Sequence, residues 1–131
     1  MKFLLDTDTC VFWLRGKGSV RDRVKTVGAS FLAISAITLV ELCYGASCSV
    51  QDKANHQAID DFISGIKVLE TDAAVAVVFG DLKAQLRKQG MLIEDFDLMI
   101  AATAQTYGLI LVTNNAQHFE RIAGLKTENW I

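Results

Sequence analysis

Residues 95–113 read DFDLMIAATAQTYGLILVT, and this stretch decides the fold. From Asp95 to Tyr107 small and apolar residues recur at helical spacing, and Gly108 supplies a stop. Leu109 to Thr113 follows at once as a short apolar run of strand length, so the segment reads as a helix feeding a buried strand. A short helix over Ala116–Ile122 completes the unit.

The same alternation extends towards the N-terminus. Lys2–Asp6 reads as a buried strand, Thr9–Arg15 as a short helix closed by Gly16-Lys-Gly18, and Ser19–Val27 as a second helix. Phe31–Ile34 is strand-length, and Ser35 can cap a helix running to about Ser47 by accepting from the free first-turn N–H groups. Asp52–Ile66 is amphipathic, Val68-Leu69 is a short strand candidate, and Asp72 caps a helix that ends in Lys83, Arg87 and Lys88 before Gly90. Short apolar strands alternating with helices define an α/β chain. The expected core is a central, mostly parallel sheet of four to five short strands flanked by about seven helices. The complete absence of proline suits this helical bias.

The 131 residues make one domain of ordinary size, taken here as 1–131, and a 51% apolar content argues against disorder. The longest strongly apolar uncharged run, Thr26–Val40, spans 15 residues and stops at Glu41, too short for a membrane span. MKFLLD meets an acid too early for a signal-peptide core. Cys10, Cys43 and Cys48 form no CxxC, which fits a reducing, cytoplasmic setting. A net charge of −2 gives no whole-chain sign of nucleic-acid binding, yet the window Arg15–Lys25 is locally +4. Its Arg15, Lys17, Arg21 and Arg23 are candidate phosphate contacts, against the alternative of a solvated helix face.

Acids placed where the pattern calls for hydrophobes carry the chemistry. Glu41 is the one charge in AITLVELCYGA, and Asp97 shares a stripe with Ile100, Ala101 and Ala104. Asp6 ends the first strand, at the edge where open α/β sheets bind ligands. Three such carboxylates suggest one acidic pocket that would repel itself without a cation. With neither His nor Cys interleaved, the donor set favours Mg²⁺ or Mn²⁺, cations that coordinate phosphate oxygens and activate water. Thr113-Asn114-Asn115 directs polar groups to the same sheet edge. The three acids account for more than the whole net charge, leaving the rest of the chain at +1.

LLDTDTCVFWL, ISAITLVELCYGA, DFDLMIAATAQTYGLILVTNN and HFERIAGLKTENW, taken in order, resemble the PIN-domain toxins of the VapC type over essentially the whole chain. The resemblance implies a PIN-like fold in which Asp6, Glu41 and Asp97 hold Mg²⁺ or Mn²⁺. It places Asn115 where many relatives carry a fourth acid, and gives Thr113 a part in positioning water or phosphate. It further implies an endoribonuclease that leaves 5′-phosphate and 3′-hydroxyl ends on structured RNA, with tRNA a common target, and so arrests translation. Its expected partners are a VapB-type antitoxin covering the acidic pocket and a second copy in a homodimer.

Two other readings are open. Asp6-Thr-Asp8-Thr-Cys10 resembles the DxDx[T/V] signature of haloacid-dehalogenase phosphatases, with Asp6 as nucleophile, although Cys10 breaks its last position. A catalytically silent PIN-like binding module is the other, opposed by the presence of all three acids. Among the remaining residues, Asp8 and Asp95 read as helix caps, His118 and His56 as surface, and Cys43 and Cys48 as small core residues. Of the adjacent Phe12 and Trp13, at least one reads as core or interface.

Overall fold

The computed structural model describes residues 1–131. Five strands, β1 (Phe3–Leu5), β2 (Leu32–Ser35), β3 (Lys67–Leu69), β4 (Ile110–Val112) and β5 (Thr127–Glu128), form one sheet. Every pairing in it is parallel, in the order β3-β2-β1-β4-β5. Seven α-helices connect them: α1 (Thr7–Arg15), α2 (Val20–Val27), α3 (Ala36–Ser47), α4 (Asp52–Ile63), α5 (Ala73–Lys88), α6 (Asp95–Thr106) and α7 (Ala116–Phe119). The chain steps outward from β1 to β2 and β3, then returns to the other side of β1 for β4 and β5. The carboxyl ends of β1 and β4 therefore flank the crevice where the strand order reverses, the usual ligand position in such sheets.

The two-residue period of the strands sorts the core into two layers. Leu4, Ala33 and Leu111 face the cluster that includes Leu82, Leu86, Leu98 and Ala101 of α5 and α6. Phe3, Leu5, Ile34 and Val112 face the opposite cluster, with Cys10, Val24, Leu42 and Phe62 of α1 to α4. A strand buried on both sides needs apolar residues at every position, which is why these segments read as runs and not as alternations. No helix is long and apolar enough to cross a membrane.

Two expected caps are present: the Ser35 hydroxyl accepts from Thr38 N–H at 3.1 Å, and Asp72 from Val75 N–H at 2.9 Å. Because Ser35 is fully buried, Ser35→Ala strips the first turn of α3 of an acceptor that water cannot replace. The expected loss is about 1–2 kcal/mol, read as a lower midpoint in thermal or urea unfolding.

Other expectations change. Helix α1 starts at Thr7, two residues early, because Asp6 is its cap and accepts from Thr9 N–H at 2.9 Å; Asp8 is an exposed first-turn residue. Asp95 does not cap α6 either: Glu94 holds that position, and Asp95 pairs with Lys83 at 2.8 Å. Helix α4 ends at Ile63 because Lys67 is taken into β3, and α7 is a single turn. Cys48 is exposed and Cys43 half-buried, so the buried thiol is Cys10. Trp13 packs edge-on against Phe62, ring centroids 4.4 Å apart.

Candidate active site

Asp6 is placed by β1. Its N–H still bonds Val112 O of β4 at 3.0 Å, and its carboxylate turns to cap α1. Burial pushes the carboxyl above its usual value, partly offset by hydrogen bonds from the Thr113 hydroxyl and from Thr9. Thr113, fully buried just beyond β4, also accepts from Asn115 N–H at 3.0 Å, which fixes the turn after the strand. Parallel pairing of Leu5 with Val112 is what sets Asp6 beside Thr113.

Glu41 sits halfway along α3, half-buried, and accepts from the Thr7 hydroxyl at 2.6 Å. Asp97 lies in the first turn of α6 with its side chain 34% exposed. Burial raises its carboxyl above the usual range, and the negative charges of Glu41, Glu94 and Asp6 raise it further. His118 opposes that shift, its Nε2 lying 3.5 Å from Asp97 Oδ2. This overturns the reading of His118 as a surface residue: α7 is too short to carry it away from the β4 edge, and its Nε2 is buried. His56 bonds the Ser47 hydroxyl, away from these acids.

The fold thus brings Asp6, Glu41, Asp97 and Thr113 to the reversal of strand order. Asn115 stands exposed at the cap of α7, where its side chain makes no cap hydrogen bond. Of the basic residues, Arg15 lines a cavity of about 230 Å³ together with Glu41. Arg21 donates to Trp13 O and Leu14 O at the end of α1, while Arg23 pairs with Glu128 and lies over the Trp130 ring. Lys17 is exposed in the turn that follows α1. Thr7 and His118 are the site residues that local sequence reasoning missed. Adjacency to Asp6, and a spacing of five residues from Thr113, were the signals available.

The donor set fits a hard cation. The acids offer carboxylate oxygens, the charges of Glu41 and Asp6 disfavour the ionised Asp97, and Thr113 stands beside Asp6. These acids are not drawn into a ready-made cluster: no three acid, histidine or cysteine side chains stand close enough together to hold a metal ion by themselves.

Comparison with known proteins identifies the family. The PIN domain profile matches residues 3–125. The chain is 45% identical to the tRNA(fMet)-specific endonuclease VapC of Shigella flexneri, over 99% of this chain and 98% of that protein. It is 35% identical to ribonuclease VapC1 of Methanocaldococcus jannaschii, over 95% of this chain and 85% of that one. Among solved structures it superimposes on a chain of DNA-bound VapBC from Salmonella typhimurium with a TM-score of 0.94, at 39% identity, covering 100% of this chain and 99% of that one. A chain of VapBC2 from Rickettsia felis, bound to a promoter DNA fragment, gives 0.92 at 33% identity with full coverage of both. The chain belongs to the PIN-domain nuclease family, in its branch of VapC ribonucleases.

Proposed function

We propose that this chain is the toxin of a toxin–antitoxin pair, a Mg²⁺- or Mn²⁺-dependent endoribonuclease that cuts tRNA and so arrests translation. The observation that carries this reading is Asp97, held half-buried against the charges of Glu41 and Asp6 at the strand-order reversal. Such an arrangement is unfavourable in the free protein and suits a cationic guest. Asp6, Glu41 and Asp97 would hold the cation. Bound there, it would supply Lewis-acid stabilisation of phosphate charge and a more acidic water.

The chain's own groups prepare that site. The α1 cap and Thr113 orient Asp6, Thr7 holds Glu41, and His118 presents an imidazole to Asp97. Asn115, exposed at the end of the same turn, is offered to the RNA or to the cation's water shell. Arg15 and Lys17, flanked by Arg21 and Arg23, supply the basic side for the RNA backbone. The residues 1–131 act as a single PIN domain in the cytoplasm, where tRNA resides.

The cavity beside Glu41 gives the antitoxin a seat. Val11, Leu14, Leu42 and Ile59 line it together with Glu41, whose charge attracts a basic side chain. A VapB-type segment with an apolar stretch and a cation fits both features, in keeping with the VapBC complexes among the structural relatives. Exposed Val40 and Tyr44 on α3 and Val77 on α5 offer apolar surface to a second copy, and a homodimer is the expected state.

The protein, purified free of antitoxin, is expected to cut initiator tRNA within total RNA when Mg²⁺ or Mn²⁺ is added, leaving 5′-phosphate ends. Asp6→Asn keeps the cap but removes a ligand charge, and its cleavage rate should fall at least about a hundredfold. Undiminished cutting by Asp6→Asn would refute the assignment. Cutting that survives chelation would refute metal dependence.

A further inference from the structure

We propose that Thr7 is a positioning residue for Glu41: its hydroxyl holds one carboxylate oxygen in place and leaves the other to serve the cation. The inference rests on the reading of the site given above.

The two residues are 34 positions apart, on α1 and α3, yet Thr7 Oγ1 stands 2.6 Å from Glu41 Oε1. That distance is in the range of an O–H donated to an ionised carboxylate. A carboxylate has no proton to give, so the single proton of Thr7 goes to Glu41. Thr38 Oγ1 lies 3.4 Å from Thr7 Oγ1 and 3.4 Å from Ser35 Oγ, which sets three hydroxyls between the first turns of α1 and α3.

Position explains why Thr7 suits this task. It is the first residue of α1, directly after Asp6, whose carboxylate caps that helix. Its backbone is therefore fixed by the same residue that supplies another acid of the site. Threonine is also stiff at χ1, so its hydroxyl is aimed with little loss of freedom. Glutamate is the opposite case: it has several rotatable bonds, and a half-buried carboxylate at the margin of a helix samples several rotamers unless something holds it. Neither Asp6 nor Asp97 has this problem to the same degree, since the shorter aspartate reaches less far from its backbone. Glu41 is the long, mobile member of the set, and Thr7 is its tether.

Both residues are only half-buried. Water can replace the lost hydrogen bond in the free protein, so removing the hydroxyl changes direction more than it changes stability. This separates positioning from a structural role and makes the proposal testable without reading activity alone. Thr7→Val keeps the shape and removes the donor, and Thr7→Ser keeps the donor.

The test is Mn²⁺ titration of the antitoxin-free protein by electron paramagnetic resonance, with thermal melting in metal-free buffer alongside. Thr7→Val is expected to melt within about 2 °C of wild type but to bind Mn²⁺ about tenfold more weakly. Thr7→Ser should recover most of the affinity. RNA cleavage by Thr7→Val should be depressed at low Mn²⁺ and approach wild type when the cation is raised. Wild-type affinity in Thr7→Val would overturn the positioning role. So would a large fall in melting temperature with weak Mn²⁺ binding that Thr7→Ser fails to restore, since that marks Thr7 as a structural residue. If wild type and Asp97→Asn both fail to bind Mn²⁺, the reading of the site itself falls, and the proposal falls with it.

Discussion

Asp97→Asn is expected to abolish RNA cleavage and, in the same molecule, to raise the melting temperature in metal-free buffer. The two effects share one cause. The Asp97 carboxyl is pushed above its ordinary value by burial and by Glu41, Glu94 and Asp6, so its ionised form is disfavoured in the folded state relative to the unfolded chain. The contribution of Asp97 to stability is therefore greatest where it is protonated and is lost as pH rises from the unfolded value, near 3.8, through the raised folded value. At neutral pH the neutral amide removes that penalty. Since a third of the side chain is exposed, solvent screens part of the repulsion, and a gain of about 1 kcal/mol is reasonable. That corresponds to about 4 °C for a chain of this size. The difference should vanish below the unfolded value, where both side chains are neutral. Added Mg²⁺ should reverse the order, because it stabilises the state that binds it and Asp97→Asn binds it poorly. Melting curves with and without Mg²⁺ decide the matter. A variant less stable than wild type in metal-free buffer at neutral pH would contradict the electrostatic account.

Trp130→Ala is expected to cost about 3–5 kcal/mol, enough to threaten the fold, although it is the penultimate of the 131 residues. Trp130 is 2% exposed and packs edge-on against Phe3 of β1, ring centroids 5.0 Å apart. Its indole N–H donates to Glu128, its carbonyl accepts from Ser19, and Arg23 lies over the ring. The ring therefore seals the layer that holds β1 against α2. None of Phe3, Glu128 and Ser19 is a site acid, so metal binding by the folded molecule should be retained at low temperature, while loss of the ring under Arg23 touches the basic side. Urea unfolding checks the first claim: a loss under 1 kcal/mol would show that the C-terminal segment is only loosely docked.

Much of this molecule is legible because burial writes itself into composition. Strands β1, β2 and β4 are buried on both faces and appear as uninterrupted apolar runs, with α6 leading into β4. The acids Glu41 and Asp97 are legible for the complementary reason, as charges where helical spacing calls for apolar groups. Strand β5 is not legible. Thr127-Glu128 carries no apolar signal, and it is a strand because Leu111 N–H on β4 and Thr113 N–H just beyond it find acceptors in Lys126 O and Glu128 O. The cap of α1 misleads for a local reason. Asp6 and Asp8 both suit a cap, and the parallel bond from Asp6 N–H to Val112 ends β1 where Asp6 must turn.

The sequence by itself determined the alternation of strands and helices, the parallel character of the sheet and the identity of three unusual acids. These follow from spacing along the chain, which reports whether a side chain faces apolar surroundings but not which partner it meets. Only the tertiary structure decided that β1 lies between β2 and β4, so that Asp6 meets Thr113. It also decided that Thr7 reaches Glu41, that His118 faces Asp97, and that Arg21 and Arg23 are engaged within the fold. Each of these contacts joins residues distant in sequence through sheet order and helix packing. No local period encodes that information.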